Sequence, residues 1–189
     1  FFTEHPKRYT IGEVELGVNY VLIISTNAGL WAYNIGDTIQ FTSLKPYRVI
    51  VSGRIKHYIS AFGEHVIGKE VESALKEVME GTDVRVNEFT VAPQITPTEG
   101  LPYHEWFIEF ENEPDNLEEF ALKIDAAMRK QNVYYDDLIV GNVLRTLVIT
   151  SVPKNGFQDY MKSIGKLGGQ NKLPRLSNDR KIAQFFENK

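Results

Sequence analysis

The sequence contains no cysteine. Disulfides and thiolate metal sites are thereby excluded, and a reducing compartment such as the cytoplasm suits the chain. No apolar run approaches the roughly 20 residues of a membrane-spanning helix. The opening Phe1-Phe2-Thr3-Glu4 has neither the basic start nor the apolar stretch of a signal peptide. An initiator Met is also missing, and the abrupt aromatic start reads as a fragment of a longer polypeptide. No glycine loop fits a Walker-type phosphate site. The four histidines, His5, His57, His65 and His104, have no metal-ligand spacing and read as core or surface residues. Internal repeats and low-complexity tracts are absent.

What remains is ordinary globular material: 189 residues, 42% hydrophobic and 24% charged, enough for one or two domains. The net charge of −4 hides an asymmetry. From Pro153 to Lys189 eight Lys/Arg face three acids, so this tail is +5 and the preceding body −9. Such a tail is either a solvated basic end or a surface for an anionic ligand.

Hydrophobic periodicity divides the chain into two regions. Val18–Ser25 is a branched apolar run that predicts a buried strand. Asn27-Ala28-Gly29 signals a turn. Short strands are expected at Leu30–Tyr33 and Thr38–Thr42, around Gly36-Asp37, then at Tyr47–Val51 and Ile55–Ala61. Ile67, Val71, Leu75 and Val78 then switch to helical spacing, with Gly81 as the stop. Val84–Val91 reads as a strand bulged near Glu88, and 93–102 as a loop. Trp106, Ile108 and Phe110 alternate with Glu105, Phe107, Glu109 and Glu111, which predicts a half-buried strand with its carboxylates in solvent. A helix with Asp115 as N-cap and Glu118 in a capping box follows, its apolar face being Leu117, Phe120, Ala121, Ile124 and Met128. Tyr134–Leu138 fits either period. A strand at Val143–Thr150, a short helix at Gly156–Ile164, a Gly-rich loop and a last helix at Asn178–Phe186 complete the chain. The fold class is α+β: residues 1–51 as the β-rich end of one domain, and 52–189 as a hairpin plus a two-layer antiparallel sheet with helices.

Three stretches carry the chemistry. The first is Thr26-Asn27-Ala28-Gly29-Leu30-Trp31-Ala32-Tyr33-Asn34-Ile35-Gly36-Asp37. One carboxylate at Asp37 can accept hydrogen bonds from both hydroxyls of a ribose, and its charge strengthens them. Standing alone, Gly-Asp is an ordinary turn; the aromatic strand leading into it is what raises the reading. The second is Ser52-Gly53-Arg54-Ile55-Lys56, running through Ile59-Ser60-Ala61-Phe62-Gly63-Glu64 into a helix. The third is Gly168-Gly169-Gln170-Asn171-Lys172-Leu173-Pro174-Arg175, a lysine with glycines ahead of it and a stiff Leu-Pro behind.

Taken together and in this order, these stretches resemble the auxin-responsive acyl-acid amido synthetase family of adenylate-forming enzymes, with the middle stretch closest to bacterial members. The resemblance covers nearly the whole chain. It departs at Asn34, where the family usually carries an Arg. It implies that Asp37, Tyr33 and Arg54 bind ATP, that Lys56 lies at the hinge of a mobile C-terminal domain, and that Lys172 is catalytic, bridging the acyl carboxylate and the α-phosphate. A Ser/Thr/Gly-rich phosphate loop is not found in these residues. The resemblance therefore implies that the triphosphate site and the Mg2+ ligands belong to an N-terminal part of the same polypeptide, and that the chain alone is inactive. The expected reaction activates a small carboxylic acid as an acyl-adenylate and transfers it to an amine such as an amino acid, with no nucleic-acid or membrane partner. A thioester-forming ligase of the same superfamily and a non-catalytic ferredoxin-like binding module stay open. The Lys-Leu-Pro-Arg ending weighs against the ligase, and the acidic body against an RNA-binding module.

Overall fold

A computed structural model describes residues 6–54, 58–166, 168 and 171–187. The chain forms two compact units, Phe1–Lys56 and His57–Lys189.

The first unit is an antiparallel sheet of three strands in the order β1 (Asn19–Ile24), β2 (Tyr33–Leu44), β3 (Tyr47–Arg54). The two short strands expected around Gly36-Asp37 are one strand of 12 residues, β2, interrupted by a bulge. Leu30 and Trp31 precede it outside any strand. Ile39 and Phe41 are buried, and Tyr9, Tyr20, Phe41 and Tyr47 form an edge-to-face ladder with centroids 5.6, 6.0 and 6.0 Å apart. This geometry suits the ring quadrupoles. Ile23, Ile35, Val49 and Val51 are exposed within the described residues.

The second unit begins with the hairpin β4 (Tyr58–Ile59) and β5 (Val66–Ile67), which leads directly into α1 (Gly68–Met79). Its main sheet has the order β6 (Arg85–Gln94), β7 (Tyr103–Asn112), β8 (Val148–Ser151). The bulge expected near Glu88 is present, as a register shift between Val86 and Glu88. β6 runs further than expected, through Pro93. Val91, two residues earlier, donates outward from the edge of β6, so Pro93 lacks its N–H on an edge where no ladder bond is lost. Between β7 and β8 lie α2 (Leu117–Gln131) and α3 (Val133–Val140). β8 is parallel to β7, which corrects the fully antiparallel sheet: a connection carrying helices is long enough to return a strand in parallel. The N-cap of α2 is Asn116, whose Oδ1 accepts from Glu119 N at 3.0 Å, in place of the expected Asp115. Asn132 caps α3 in the same manner.

Both faces of this sheet are covered, which corrects the two-layer expectation within the α+β class. On one face Trp106, Ile108, Phe89 and Val91 pack with Val71 and Leu75 of α1 and Phe120, Ile124 and Met128 of α2. On the other, Phe107, Ala92 and Val152 pack with Phe157 of α4 (Gly156–Ser163), Ile182 and Ala183 of α5 (Lys181–Glu187), and Leu173. The approach is close at the start of α4: a Cβ on Gly156 would stand 2.5 Å from Val152 Cγ1.

The second layer overturns the solvent-facing reading of Glu105 and Glu109, whereas Glu111 is exposed as expected. Glu105 accepts from Arg180 Nη2 and Thr150 Oγ1, both at 2.7 Å. Glu109 accepts from Asn155 N at 3.1 Å and Phe157 N at 3.5 Å, placing a carboxylate on the otherwise unpaired donors that open α4. The basic tail is in part neutralised by these folds of the chain. Arg175 pairs with Glu72 and Glu88, Arg180 with Glu105 and Glu187, and Lys181 with Asp179.

Candidate functional site

The site in the first unit is built on the β2 bulge. Val21 pairs with Thr38 and Ile23 with Asn34, so β2 inserts two more residues than β1 between these pairs. The chain accommodates them around Ile35-Gly36-Asp37. Gly36 takes φ +84°, and a Cβ there would meet nothing within 4 Å. It is glycine for its backbone conformation, not for lack of room. Asn34 Oδ1 accepts from Gly36 N at 2.9 Å. Where the resemblance expects an arginine, this chain thus has a side chain that braces the bulge.

On the other edge of β2, Asp37 lies opposite Arg54 and Thr38 opposite Gly53, after which β3 inserts Ser52 before Ile39 meets Val51. Ser52 Oγ donates to Thr38 Oγ1 at 3.1 Å in a buried pair. Asp37, half-buried, is therefore fixed between irregularities on both neighbouring strands. Bulges of this kind re-aim side chains. Tyr33 begins β2 and is exposed, and beside it Trp31 is 88% exposed. The fold thus brings Asp37 and Arg54 into register and puts Tyr33 at the end of the same strand. Lys56 lies outside the described residues.

Lys172 belongs to the second unit, at the head of a strap that crosses the free edge of β6. The lysine is exposed, while Leu173 enters the second core and Leu176 the first. Pro174 O accepts from the buried Thr90 Oγ1 at 2.8 Å. Val91 N donates to Arg175 O at 3.0 Å, and Ser177 N donates to Val91 O at 2.9 Å. The backbone is thus pinned from Leu173 to Ser177, directly after the exposed lysine. Among the described residues, no group of three or more His, Asp or Glu could hold a metal ion. No helix among them is long and apolar enough to cross a membrane.

A buried polar network in the second unit escaped sequence reasoning. His104 Nε2 lies 2.8 Å from Glu64 Oε1, and both side chains are almost wholly buried. Phe62 N donates to the other Glu64 oxygen at 2.8 Å. Asn132 Nδ2 donates to Glu64 O at 3.0 Å and Glu70 Oε2 at 3.1 Å. Tyr135, its ring centroid 5.2 Å from that of His104 at a tilt of 32°, donates its hydroxyl to Asp125 Oδ1 at 2.6 Å.

Burial works to raise the Glu64 carboxyl, but the His104 hydrogen bond and charge outweigh it and hold the group below the usual range. At Glu70 burial prevails over the donors from Ile67 and Asn132, and the carboxyl is raised. Burial, then the Asp125 charge, pushes the Tyr135 phenol well above its ordinary value, so it remains a donor. The network ties the β4–β5 hairpin to β7, α2 and α3. His65, next to Glu64, is exposed and contacts Ser60 Oγ at 3.0 Å.

Residues 2–54 match the GH3 family central domain, and residues 67–181 match the GH3 family C-terminal domain. The chain is 25% identical over 204 residues to indole-3-acetic acid-amido synthetase GH3.3 of Arabidopsis thaliana, covering 99% of this chain and 33% of that protein. Two solved structures share its fold. One is GH3.15 acyl acid amido synthetase, with TM-score 0.71 at 19% identity over 95% of this chain and 35% of the other. The second is the same synthetase in complex with 2,4-DB, with TM-score 0.70 at 17% identity over 95% and 34%. The chain spans about a third of the length of these relatives. With more than half of its residues matched by the C-terminal domain alone, the chain belongs to the GH3 family.

Proposed function

We propose that the polypeptide carrying this chain is an ATP-dependent acyl-acid amido synthetase. It would convert a small carboxylic acid and ATP to an acyl-adenylate and pyrophosphate, then transfer the acyl group to an amine, an amino acid in our reading, with release of AMP. The observation that carries this reading is the braced Gly36–Asp37 bulge with Arg54 in register beside it. A carboxylate at this position suits the two ribose hydroxyls of ATP, because both can donate to one ionised acceptor. The exposed Tyr33 ring fits a flat apolar contact beside it. Lys172 supplies the cation for the adenylation step. Family membership and the amido synthetase activity of the relatives favour this reading over a thioester-forming ligase or a binding module.

In this reading the acyl pocket, the triphosphate site and the Mg2+ ligands lie in an N-terminal part of the polypeptide, as the extra length of the relatives suggests. The exposed apolar side chains of the first unit suit packing against that part. The cytoplasm is the compartment we propose, in keeping with a chain free of cysteine. Residues 1–51 would close the larger domain and residues 52–189 form the mobile one, with Lys56 at the hinge.

Two results are expected. The 189-residue chain alone gives no ATP–pyrophosphate exchange with any acid; exchange above a mock preparation would show that the missing part is not needed. In the full-length enzyme, Asp37→Ala removes hydrogen bonds to a charged acceptor, worth about 1.5–3 kcal/mol. The affinity for ATP should fall by about tenfold to a hundredfold. An unchanged KM for ATP in a folded variant rejects the ribose assignment.

A further inference from the structure

We propose that Arg175 is a positioning residue that acts through Lys172, fixing the register of the strap whose head carries the catalytic charge. The inference rests on the adenylation role of Lys172 and adds the device that aims it. The backbone-to-backbone bonds of the strap to β6 among the described residues fall on Val91, through Arg175 O and Ser177 N. The same two bonds could form after a slip toward Phe89, since the backbone repeats there, whereas Pro93 offers no donor in the other direction. A side chain has to choose the register. Thr90 Oγ1 contributes by donating to Pro174 O, and Leu173 and Leu176 by entering opposite cores.

Arg175 reaches furthest. Its Nε donates to Glu72 Oε1 of α1 at 3.0 Å, its Nη1 donates to Glu88 Oε1 and, at 3.2 Å, to Phe89 O of β6, and its guanidinium lies 4.7 Å from the centre of the Phe89 ring. One planar fork thus ties the strap to a helix and to a strand at once. The Glu88 partner directly follows the β6 bulge, and its carboxylate meets the strap. A point charge on a flexible stem cannot reproduce this set of contacts, so lysine is not an equivalent. Lys172 is three residues away on a backbone without slack, through Leu173 and Pro174. A slip of one residue would carry its Cα about 3.3 Å and turn its side chain to the opposite side. A misplacement near 1 Å is enough to cost about a hundredfold in rate.

The test uses the full-length enzyme in four forms: wild type, Arg175→Ala, Lys172→Ala and the double variant, each assayed for acyl-adenylate formation and for aminolysis of a supplied acyl-adenylate. Arg175→Ala is expected to slow adenylation by about tenfold to a hundredfold and to leave aminolysis unchanged. In the Lys172→Ala background it should add nothing, because a residue that acts through the lysine has nothing left to aim. Amide exchange should show the Ser177 N–H losing protection in Arg175→Ala while Ile108 and Ile124 keep theirs. Should Arg175→Ala not fold, Arg175→Lys carries the same comparison, with a smaller loss confined to adenylation. Equal losses in both half-reactions, or a full additional loss on top of Lys172→Ala, make Arg175 a general structural residue and overturn the proposal. Normal adenylation in Arg175→Ala beside an impaired Lys172→Ala defeats this inference alone. Normal adenylation in Lys172→Ala defeats the underlying reading, and this inference with it.

Discussion

His104→Ala should destabilise the second unit by about 3–5 kcal/mol, the usual cost of leaving a buried charged group without its partner. The reason lies in what is left behind. Glu64 is wholly buried, and without the imidazole 2.8 Å away it keeps the Phe62 N–H on one oxygen and loses the partner of the other. An unsatisfied buried carboxylate is more costly than the lost contact alone. Trp106 makes the measurement direct, because it is buried in this unit and stacked on Phe89 at 5.6 Å, whereas Trp31 is exposed. Urea titration followed by the Trp106 emission should move to a lower midpoint at unchanged slope.

The pH dependence identifies the cause. A carboxyl held below its ordinary value adds stability that is fully present above that value, about 4.3 for Glu, and is lost as pH falls through the folded one. Glu64 is such a group. The cost of His104→Ala should therefore be greatest near neutrality and shrink as pH falls, starting above the ordinary Glu value, because burial without the imidazole raises the carboxyl in the variant and lets it take up its proton first. A cost that does not change with pH would mean that lost packing against Tyr135, not the charge, is responsible.

One member of this network is legible in the period of β7. The alternation that turns Trp106, Ile108 and Phe110 inward places His104 on the same side, so a core histidine was legible there. Its partner was not, because Glu64 is 40 residues away and local pattern carries no information about which distant strand or hairpin will be adjacent. The same limit explains the strand β7. Its alternation of apolar and acidic residues is the pattern of a sheet with one wet face. The second face is in fact closed by α4 and α5, and Glu105 and Glu109 are buried with partners supplied from 150–180. Phe107, placed among the glutamates, was the sign that the face was not wet, and Phe157, Ile182 and Ala183 were the apolar residues in need of a surface.

Elements governed by local chemistry were legible: the period of Ile67, Val71, Leu75 and Val78 gave α1, and the broken alternation near Glu88 gave the bulge. The Asx-type contact that braces Gly36 was not, since an Asn two residues before a glycine is common in turns and does not by itself announce a bulge inside a strand.

Lys172→Ala in the full-length enzyme should slow acyl-adenylate formation by about a hundredfold to a thousandfold, the usual cost of losing a preorganised charge contact to a transition state. In adenylation an anionic carboxylate attacks an anionic α-phosphate, and negative charge accumulates on the pentavalent phosphorus as the bond forms. A cation between the two lowers that barrier more than it favours either ground state. Once the acyl-adenylate exists the carboxylate charge is gone, and attack of a neutral amine on the acyl carbon has no like-charge approach to offset. Aminolysis of a supplied acyl-adenylate should accordingly proceed at the wild-type rate. Stability should change by no more than about 0.5 kcal/mol, since the side chain is exposed and the anchors of the strap, from Leu173 to Ser177, are untouched. Single-turnover assays of the two half-reactions separate the possibilities. Equal losses in both mean that Lys172 serves binding or folding in general, and wild-type rates in both return it to the solvated surface, leaving the strap an edge cover for β6 and nothing more.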